Sequence, residues 1–312
     1  MPTLGTVKSL DRCTSRRTDA AWLAEKGKAP DTRYLVLVDM KLAVGPAGEN
    51  GPTGLRWLSE SEVEPLGLLD DPHTFLGIDA SGRAHFSLPI TEHRAGSVPG
   101  GLKALEPLSD LRPLMVAGQL SIDELAIAGE ARALAEWHLN SRCCGHCGSN
   151  TDVKDGGWRR RCFACGKEVF PRTDPVVIML VTHGDTCLIS HEPRFKQLQT
   201  RMFSALAGFL EPGEDIEHAV RREVLEEVGV RIGAVTYQES QPWPFPHSLM
   251  IGCRAEALGN ELKLDPAEIE EARWVTREDV RMMLAGRHPE GITLPGKHAI
   301  AHKLLTAFAE GR

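Results

Sequence analysis

The segment GFLEPGEDIEHAVRREVLEEVGV, residues 208–230, constrains this chain more than any other stretch. Its apolar positions Ala219, Val220, Val224 and Val228 form one helical stripe, which predicts a helix from about Asp215 to Val228. Gly229 is placed to end that helix as a C-cap, and Pro212-Gly213 to turn the chain ahead of it. Gly208 and Gly213 leave room for backbone to approach a ligand closely. On such a helix Glu223, Glu226 and Glu227 share a face. Like charges at that spacing cost about 0.2–0.5 kcal/mol per pair. Arg221 and Arg222 stand just before the triplet, with no base beside it, so the missing positive charge is expected from a divalent cation. Hard cations such as Mg²⁺ take oxygen ligands, keep several waters and bridge carboxylate to phosphate. Arg222 is expected to pair with one of the glutamates and hold its orientation.

The cysteines form the second signal. Cys144-x2-Cys147 and Cys162-x2-Cys165, with fourteen residues between the pairs, have the spacing of a structural four-cysteine zinc ribbon holding one Zn²⁺. All four positions come from protein, so the site is expected to be closed and non-catalytic. His146 reads as a spectator, Cys143 is set aside, and Cys187 and Cys253 lie in apolar segments as core thiols. The first thirty residues mix Arg12, Arg16 and Arg17 with Asp11 and Asp19 and contain no apolar run, so a secretory signal is not expected. Eight cysteines in such a chain point to metal ligands and thiols in a cytoplasmic protein, not to a disulfide framework. The apolar runs YLVLV and VVIMLV fall far short of the ~20 residues of a membrane span. A net charge of −7 argues against a dedicated nucleic-acid binder, although a nucleotide held through metal stays open. Arg159, Arg160 and Arg161, between the knuckles, therefore read as a solvated basic edge on a spacer or dimer brace.

Four segments are expected. Residues 1–120 read as an N-terminal mixed α/β domain, with strands at YLVLV (34–38), FLGID (75–79) and AHFSLPI (84–90). Residues 121–141 form a linking helix that starts with the capping pair Ser121 and Glu124. The ribbon occupies 142–170. Residues 171–312 begin with strand VVIMLV (176–181), returning over His183-Gly184-Asp185 into TCLISH (186–191). After the glutamate helix come strands near 232–239, 248–257 and 271–275, then helices at 276–284 and 297–309. The order is β-rich and not βαβ, so the class is α+β with a sandwich in this part.

A third motif is SQPWPFPHS, residues 240–248. Each proline removes a ladder donor, so an ordinary strand is not expected there. Composition leaves two readings open: a rigid loop whose rings bury, or a platform on which a base or nicotinamide stacks.

Gly208, Glu214 and Arg222-Glu223-x2-Glu226-Glu227-x-Gly229 satisfy every position of the Nudix box, so this segment resembles the Nudix hydrolase superfamily. Members of that superfamily cleave a nucleoside diphosphate linked to another group, using Mg²⁺ or Mn²⁺. A four-cysteine ribbon directly before such a domain, followed by SQPWPFPxS, is similar to the NADH pyrophosphatase family, which includes NAD-decapping hydrolases of RNA. The resemblance implies a Nudix α/β/α sandwich, a homodimer, and hydrolysis of NADH or NAD⁺ to nicotinamide mononucleotide and AMP, with NAD-capped RNA as a further substrate. It implies metal ligation by the Ala207 carbonyl, Glu223, Glu227 and Glu256, with Glu226 sharing the metal or assisting the water, and Arg222 beside them. Substrate contacts carry over to Phe170, Gln241, Pro242, Trp243, Pro244, Phe245, Pro246, His247 and Ser248. Phe209 is a further ring candidate and Ala301 a looser match. The alternatives are a Nudix enzyme acting on ADP-ribose or a dinucleoside polyphosphate, and a zinc-ribbon binding module.

Overall fold

The computed structural model describes residues 10–46, 53–71, 73–193, 195 and 200–312. Two compact units emerge: residues up to Arg172 together with Trp243–His247, and Thr173–Pro242 together with Ser248–Arg312.

In the first unit the run Tyr34-Leu35-Val36-Leu37-Val38 is buried on both faces and sits inside a seven-stranded mixed sheet. Strand Arg33–Val38 runs parallel to Ala84–Ile90 and antiparallel to Lys41–Pro46. Alternate side chains point to opposite faces of a strand, and here each face has its own core. Tyr34, Val36 and Val38 join Trp22, Phe75 and Phe86 on one side. Leu35 and Leu37 join Leu76 on the other, against Leu125, Ala128, Ala131, Leu134 and Ala135 of the linking helix. That helix spans Ile122–Asn140, and Ser121 and Glu124 make the reciprocal cap that their spacing predicts. The ribbon follows as three short antiparallel strands, Thr151–Lys154, Arg159–Cys162 and Glu168–Val169. Its three arginines do not form the expected basic edge. Arg159 is ion-paired with Asp155 and Glu168, Arg160 is buried, and only Arg161 is open to solvent.

In the second unit, strand Asp174–His183 is central. It runs parallel to Ser248–Ala257, from Asp174 opposite Ser248 to Thr182 opposite Glu256, and antiparallel to Thr186–His191 and Leu206–Phe209. Its side chains again divide between two cores. Val177, Met179 and Val181 pack on Ala219, Val220, Val224 and Val228 of the helix Ile216–Val228. Ile178 and Leu180 pack with Val280, Met283, Leu304 and Phe308 of the helices Arg277–Leu284 and Ile300–Ala309. A sheet with helices on both faces is the α/β/α sandwich that the box implies. One element differs from expectation. The strand that begins at Ile232 continues to Trp243 and carries the exposed Pro242 within it. It is the outermost strand of its sheet, and an edge strand tolerates the missing proline donor on its open side. No helix among the described residues is long and apolar enough to cross a membrane.

One buried titratable group in the first unit gives a pH test. Burial, and then the Arg160 charge, push His138 from 6.5 down to about 4. The unfolded chain binds a proton here that the folded chain refuses between those values. Stability contributed by neutral His138 is therefore full above pH 6.5 and lost as pH falls toward 4, by at most about 1.4 kcal/mol per pH unit. His138→Gln should remove that contribution. The gap in melting temperature between variant and wild type should accordingly change between pH 7 and pH 5, as read by calorimetry in both buffers.

Candidate active site and zinc centre

The glutamate helix runs from Ile216 to Val228, capped at one end by Asp215, which accepts the His218 N–H at 2.8 Å, and at the other by Gly229 in the left-handed region (φ 74°). It docks through its valines, which leaves Glu223 and Glu227 at the margin of the core, 9% and 6% exposed, and Glu226 out in solvent. Gly208 lies over Glu223. A Cβ built on Gly208 would stand 1.9 Å from the Glu223 carboxyl carbon, so any side chain at 208 would displace that carboxylate. Ala207 stands one residue back on strand Leu206–Phe209, opposite Ile178.

The expectation that no base stands beside the triplet is corrected. The Arg222 side chain curls forward and uses all five of its N–H donors. Its Nε donates to Glu214 Oε1 at 2.6 Å, and Nη1 donates to Glu223 Oε1 at 2.8 Å and Glu226 Oε2 at 3.1 Å. Nη2 donates to Glu214 Oε2 at 2.8 Å and to the Phe209 carbonyl at 2.9 Å. The fork therefore ties the loop to the helix. Bonding to Arg222 holds Glu214 down at about 2, and the same bonds raise the Arg222 pKa. Burial raises the Glu223 pKa, against the opposing pull of Arg222. Glu214 was not singled out as a site residue by sequence reasoning. Its fixed spacing from Arg222 within the box was the signal that could have found it.

These residues fit a hard divalent cation: two largely buried carboxylates, with a glycine that keeps the space over Glu223 clear. Glu256 is exposed, near the end of the strand that pairs with Asp174–His183. Among the described residues only the four cysteines bring three or more ligand atoms within 4.8 Å of one another. The carboxylates of Glu223, Glu227 and Glu256 form no such close group.

The remaining predicted contacts divide. Gln241 is 2% exposed and its amide is taken up internally: Nε2 donates to the His298 carbonyl at 2.6 Å and Oε1 accepts the Ile300 N–H at 2.7 Å. Its side chain therefore anchors the start of the last helix. Ala301 is 3% exposed within that helix, with its methyl in the core. Ser248 is buried at the head of its strand. Phe245 packs on the core of the first unit, with the Arg112 guanidinium 4.4 Å and the Arg132 guanidinium 5.4 Å from its centroid and Trp243 edge-on at 5.2 Å. Arg132 also donates to the Pro244 carbonyl at 2.5 Å, and Gly129 leaves just enough room for the Pro244 ring. Pro242 and Pro246 are exposed and His247 is half-buried. The rings open to a ligand are elsewhere: Phe170 is 60% and Phe209 59% exposed.

The zinc centre is assembled as the spacing requires. The four Sγ atoms of Cys144, Cys147, Cys162 and Cys165 all lie within 4.8 Å of one another. Cys144 and Cys165 approach to 3.7 Å, Cys147 and Cys162 to 3.4 Å. Backbone N–H donors of the first knuckle favour thiolate: Ser149 draws Cys147 down to about 6, and His146 and Cys147 lower Cys144. These donors suit Zn²⁺ and leave no open coordination position. Cys162→Ser should lower zinc content and thermal stability together, because a closed thiolate site supplies folding free energy through its metal. Metal analysis of wild-type protein purified without chelator should give about one zinc per chain.

Comparison with known proteins agrees with this geometry. Residues 171–294 match the NUDIX domain model and residues 139–170 the NADH pyrophosphatase zinc ribbon domain. The chain is 36% identical over 335 aligned residues to the NAD-capped RNA hydrolase NUDT12 of Macaca fascicularis, covering 95% of this chain and 71% of that protein. It is 38% identical over 256 residues to the NAD-capped RNA hydrolase NudC of Deinococcus radiodurans, covering 81% and 82%. It is 49% identical over 251 residues to the chloroplastic Nudix hydrolase 19 of Arabidopsis thaliana, covering 74% and 56%. The chain belongs to the Nudix hydrolases, in the group whose Nudix domain follows an NADH pyrophosphatase zinc ribbon.

Proposed function

We propose that this protein hydrolyses the diphosphate of NADH and NAD⁺ to nicotinamide mononucleotide and AMP, and removes the same group from NAD-capped RNA. The observation that carries the hydrolytic reading is the pair of buried carboxylates, Glu223 and Glu227, on one helix, with Gly208 over Glu223 and Arg222 saturated beside it. The substrate comes from relatives named as NAD-capped RNA hydrolases over nearly the whole chain. Glu223, Glu227, Glu256 and the Ala207 carbonyl would hold Mg²⁺ or Mn²⁺. Such a cation polarises the phosphoryl oxygens and lowers the pKa of the attacking water. Arg222 holds Glu223 and Glu226 in place through Nη1, and Glu226, the exposed member, shares the metal or receives the water's proton. Water adds to one phosphorus, the bridging P–O bond breaks, and the other phosphate leaves with its oxygen. Phe170 and Phe209 offer exposed faces for the base and the nicotinamide ring. We infer four segments, 1–120, 121–141, 142–170 and 171–312, in a chain that works as a homodimer. Four zinc-ligating cysteines and four others outside any disulfide suit a reducing compartment such as the cytoplasm.

A panel of NADH, NAD⁺, NAD-capped RNA and ADP-ribose, scored by released mononucleotide, tests the assignment. Equal turnover of ADP-ribose would move the protein to a general ADP-linked specificity. Glu227→Gln keeps size and removes charge, so kcat in saturating Mg²⁺ should fall by about a hundredfold or more while the fold persists. Wild-type turnover in that variant would remove Glu227 from the metal set.

The aromatic residues should separate by mechanism. Phe209→Ala and Phe170→Ala should lower kcat/KM on NADH by about 1–3 kcal/mol, the range for one stacked base, with little change in melting temperature. Phe245→Ala should instead lower the melting temperature, because it empties a packed site.

A further inference from the structure

The first unit contains a cavity of about 640 Å³ that the hydrolytic site does not use. Met40, Ile90, Ala135, Leu139 and Val153 give it apolar walls, and Arg160 lines it from the ribbon. Arg160 is 8% exposed. Its Nε donates to Thr151 Oγ1 at 2.7 Å, Nη2 to the Thr151 carbonyl at 3.0 Å, and Nη1 to His138 Nδ1 at 3.0 Å. All three acceptors are neutral, and burial keeps His138 uncharged. The acid that Arg160 feels, Asp152, is itself paired with Lys154 at 2.5 Å. Two of the five guanidinium N–H groups are left over.

A buried cation without a counter-ion is costly unless compensated. A second guanidinium, on the exposed Arg142, stands beside it. Arg142 lines the same cavity and its charge adds to the burden on Arg160, and neither has an ion-pair partner among the described residues. The third arginine of the lining, Arg94, is neutralised by Asp71 at 2.8 Å. Asp39, the other acid of the lining, is exposed and accepts the Glu92 N–H at 3.2 Å. Phe163 closes the lining with a ring that is 72% exposed, and Leu139 beside the cavity is 40% exposed. Two uncompensated guanidinium groups next to an open aromatic face and apolar walls suit a ligand with a phosphate at one end and a flat ring at the other.

We propose that this cavity is a second nucleotide site, in which Arg142 and Arg160 take the phosphate and Phe163 stacks on the base. It does not depend on the substrate assigned above. The same chemistry could arrive as a free nucleoside monophosphate or as one nucleotide of a single-stranded RNA.

The test is equilibrium dialysis on the full-length zinc-loaded protein, without added Mg²⁺, using AMP, adenosine and a short oligoadenylate as probes. Wild type, Arg142→Glu and Phe163→Ala are compared, and both variants are checked for zinc content and melting temperature. AMP should bind and adenosine should not compete. Arg142→Glu should weaken AMP by at least about tenfold, as loss of a charge-assisted pair requires. Phe163→Ala should weaken it by about fivefold or more. NADH hydrolysis should stay within about twofold of wild type in both, which separates this site from the catalytic one. Tighter binding of the oligomer than of AMP would assign the site to RNA, and equal binding to the free nucleotide; either supports it. Unchanged AMP affinity in both variants would overturn the proposal, as would adenosine competing as well as AMP.

Discussion

The catalytic part of this fold depends on one side chain, Arg222. It reaches backward to Glu214 and the Phe209 carbonyl and forward to Glu223 and Glu226, so one guanidinium fixes the loop relative to the helix. Without it, two carboxylates of the triplet would face each other with only water between, and the loop bearing Gly208 would lose its tether. Lysine could not replace it, since a point charge with three donors cannot serve five acceptor positions in a plane. The fork also decides what the helix can present. Glu223 and Glu226 are already oriented before any cation arrives, and ordering entropy that binding would otherwise cost is met in folding.

What was legible in the sequence is what local spacing determines. The helix Ile216–Val228 with its two caps, the linking helix Ile122–Asn140 with its capping pair, and the cysteine knuckles all follow from residues within a few positions of each other. The hairpin at His183-Gly184-Asp185 is equally local, with Thr182 opposite Cys187. The strand Ala84–Ile90 has the bounds its pattern predicts. Glu223, Glu226 and Glu227 share one helix for the same local reason, whereas Glu256 and the Ala207 carbonyl, which lie on strands, came from the family resemblance and not from spacing.

What was not legible depends on partners far away in the chain. Arg132 meets the Pro244 carbonyl across 112 positions, and Gln241 meets the Ile300 N–H across 59. Nothing in SQPWPFPHS announces that Phe245 is packed by Arg112 or that the Gln241 amide caps a helix. The same residue types would serve a stacking platform, and composition could not choose. The three consecutive arginines of the ribbon mislead for a related reason. On a strand, neighbours point to opposite faces, so Arg160 turns inward while Arg161 stays out, and Arg159 is taken by the acids across the turn.

Two arginines of this chain, the half-buried Arg222 and the buried Arg160, stand in contrasting surroundings. Arg222 is surrounded by carboxylates, and its charge is cancelled within the molecule. Arg160 is surrounded by a hydroxyl, a carbonyl and a neutral imidazole, and its charge is not. A neutral shell can satisfy hydrogen bonds without supplying the Coulomb term, so it leaves most of the desolvation cost of the ion standing. A residue needed only to hold Thr151 and His138 in place could be neutral; glutamine would donate to the same carbonyl and hydroxyl at lower cost. The guanidinium is better accounted for by an anion outside the chain, in the way the carboxylates of the box are better accounted for by a cation outside it.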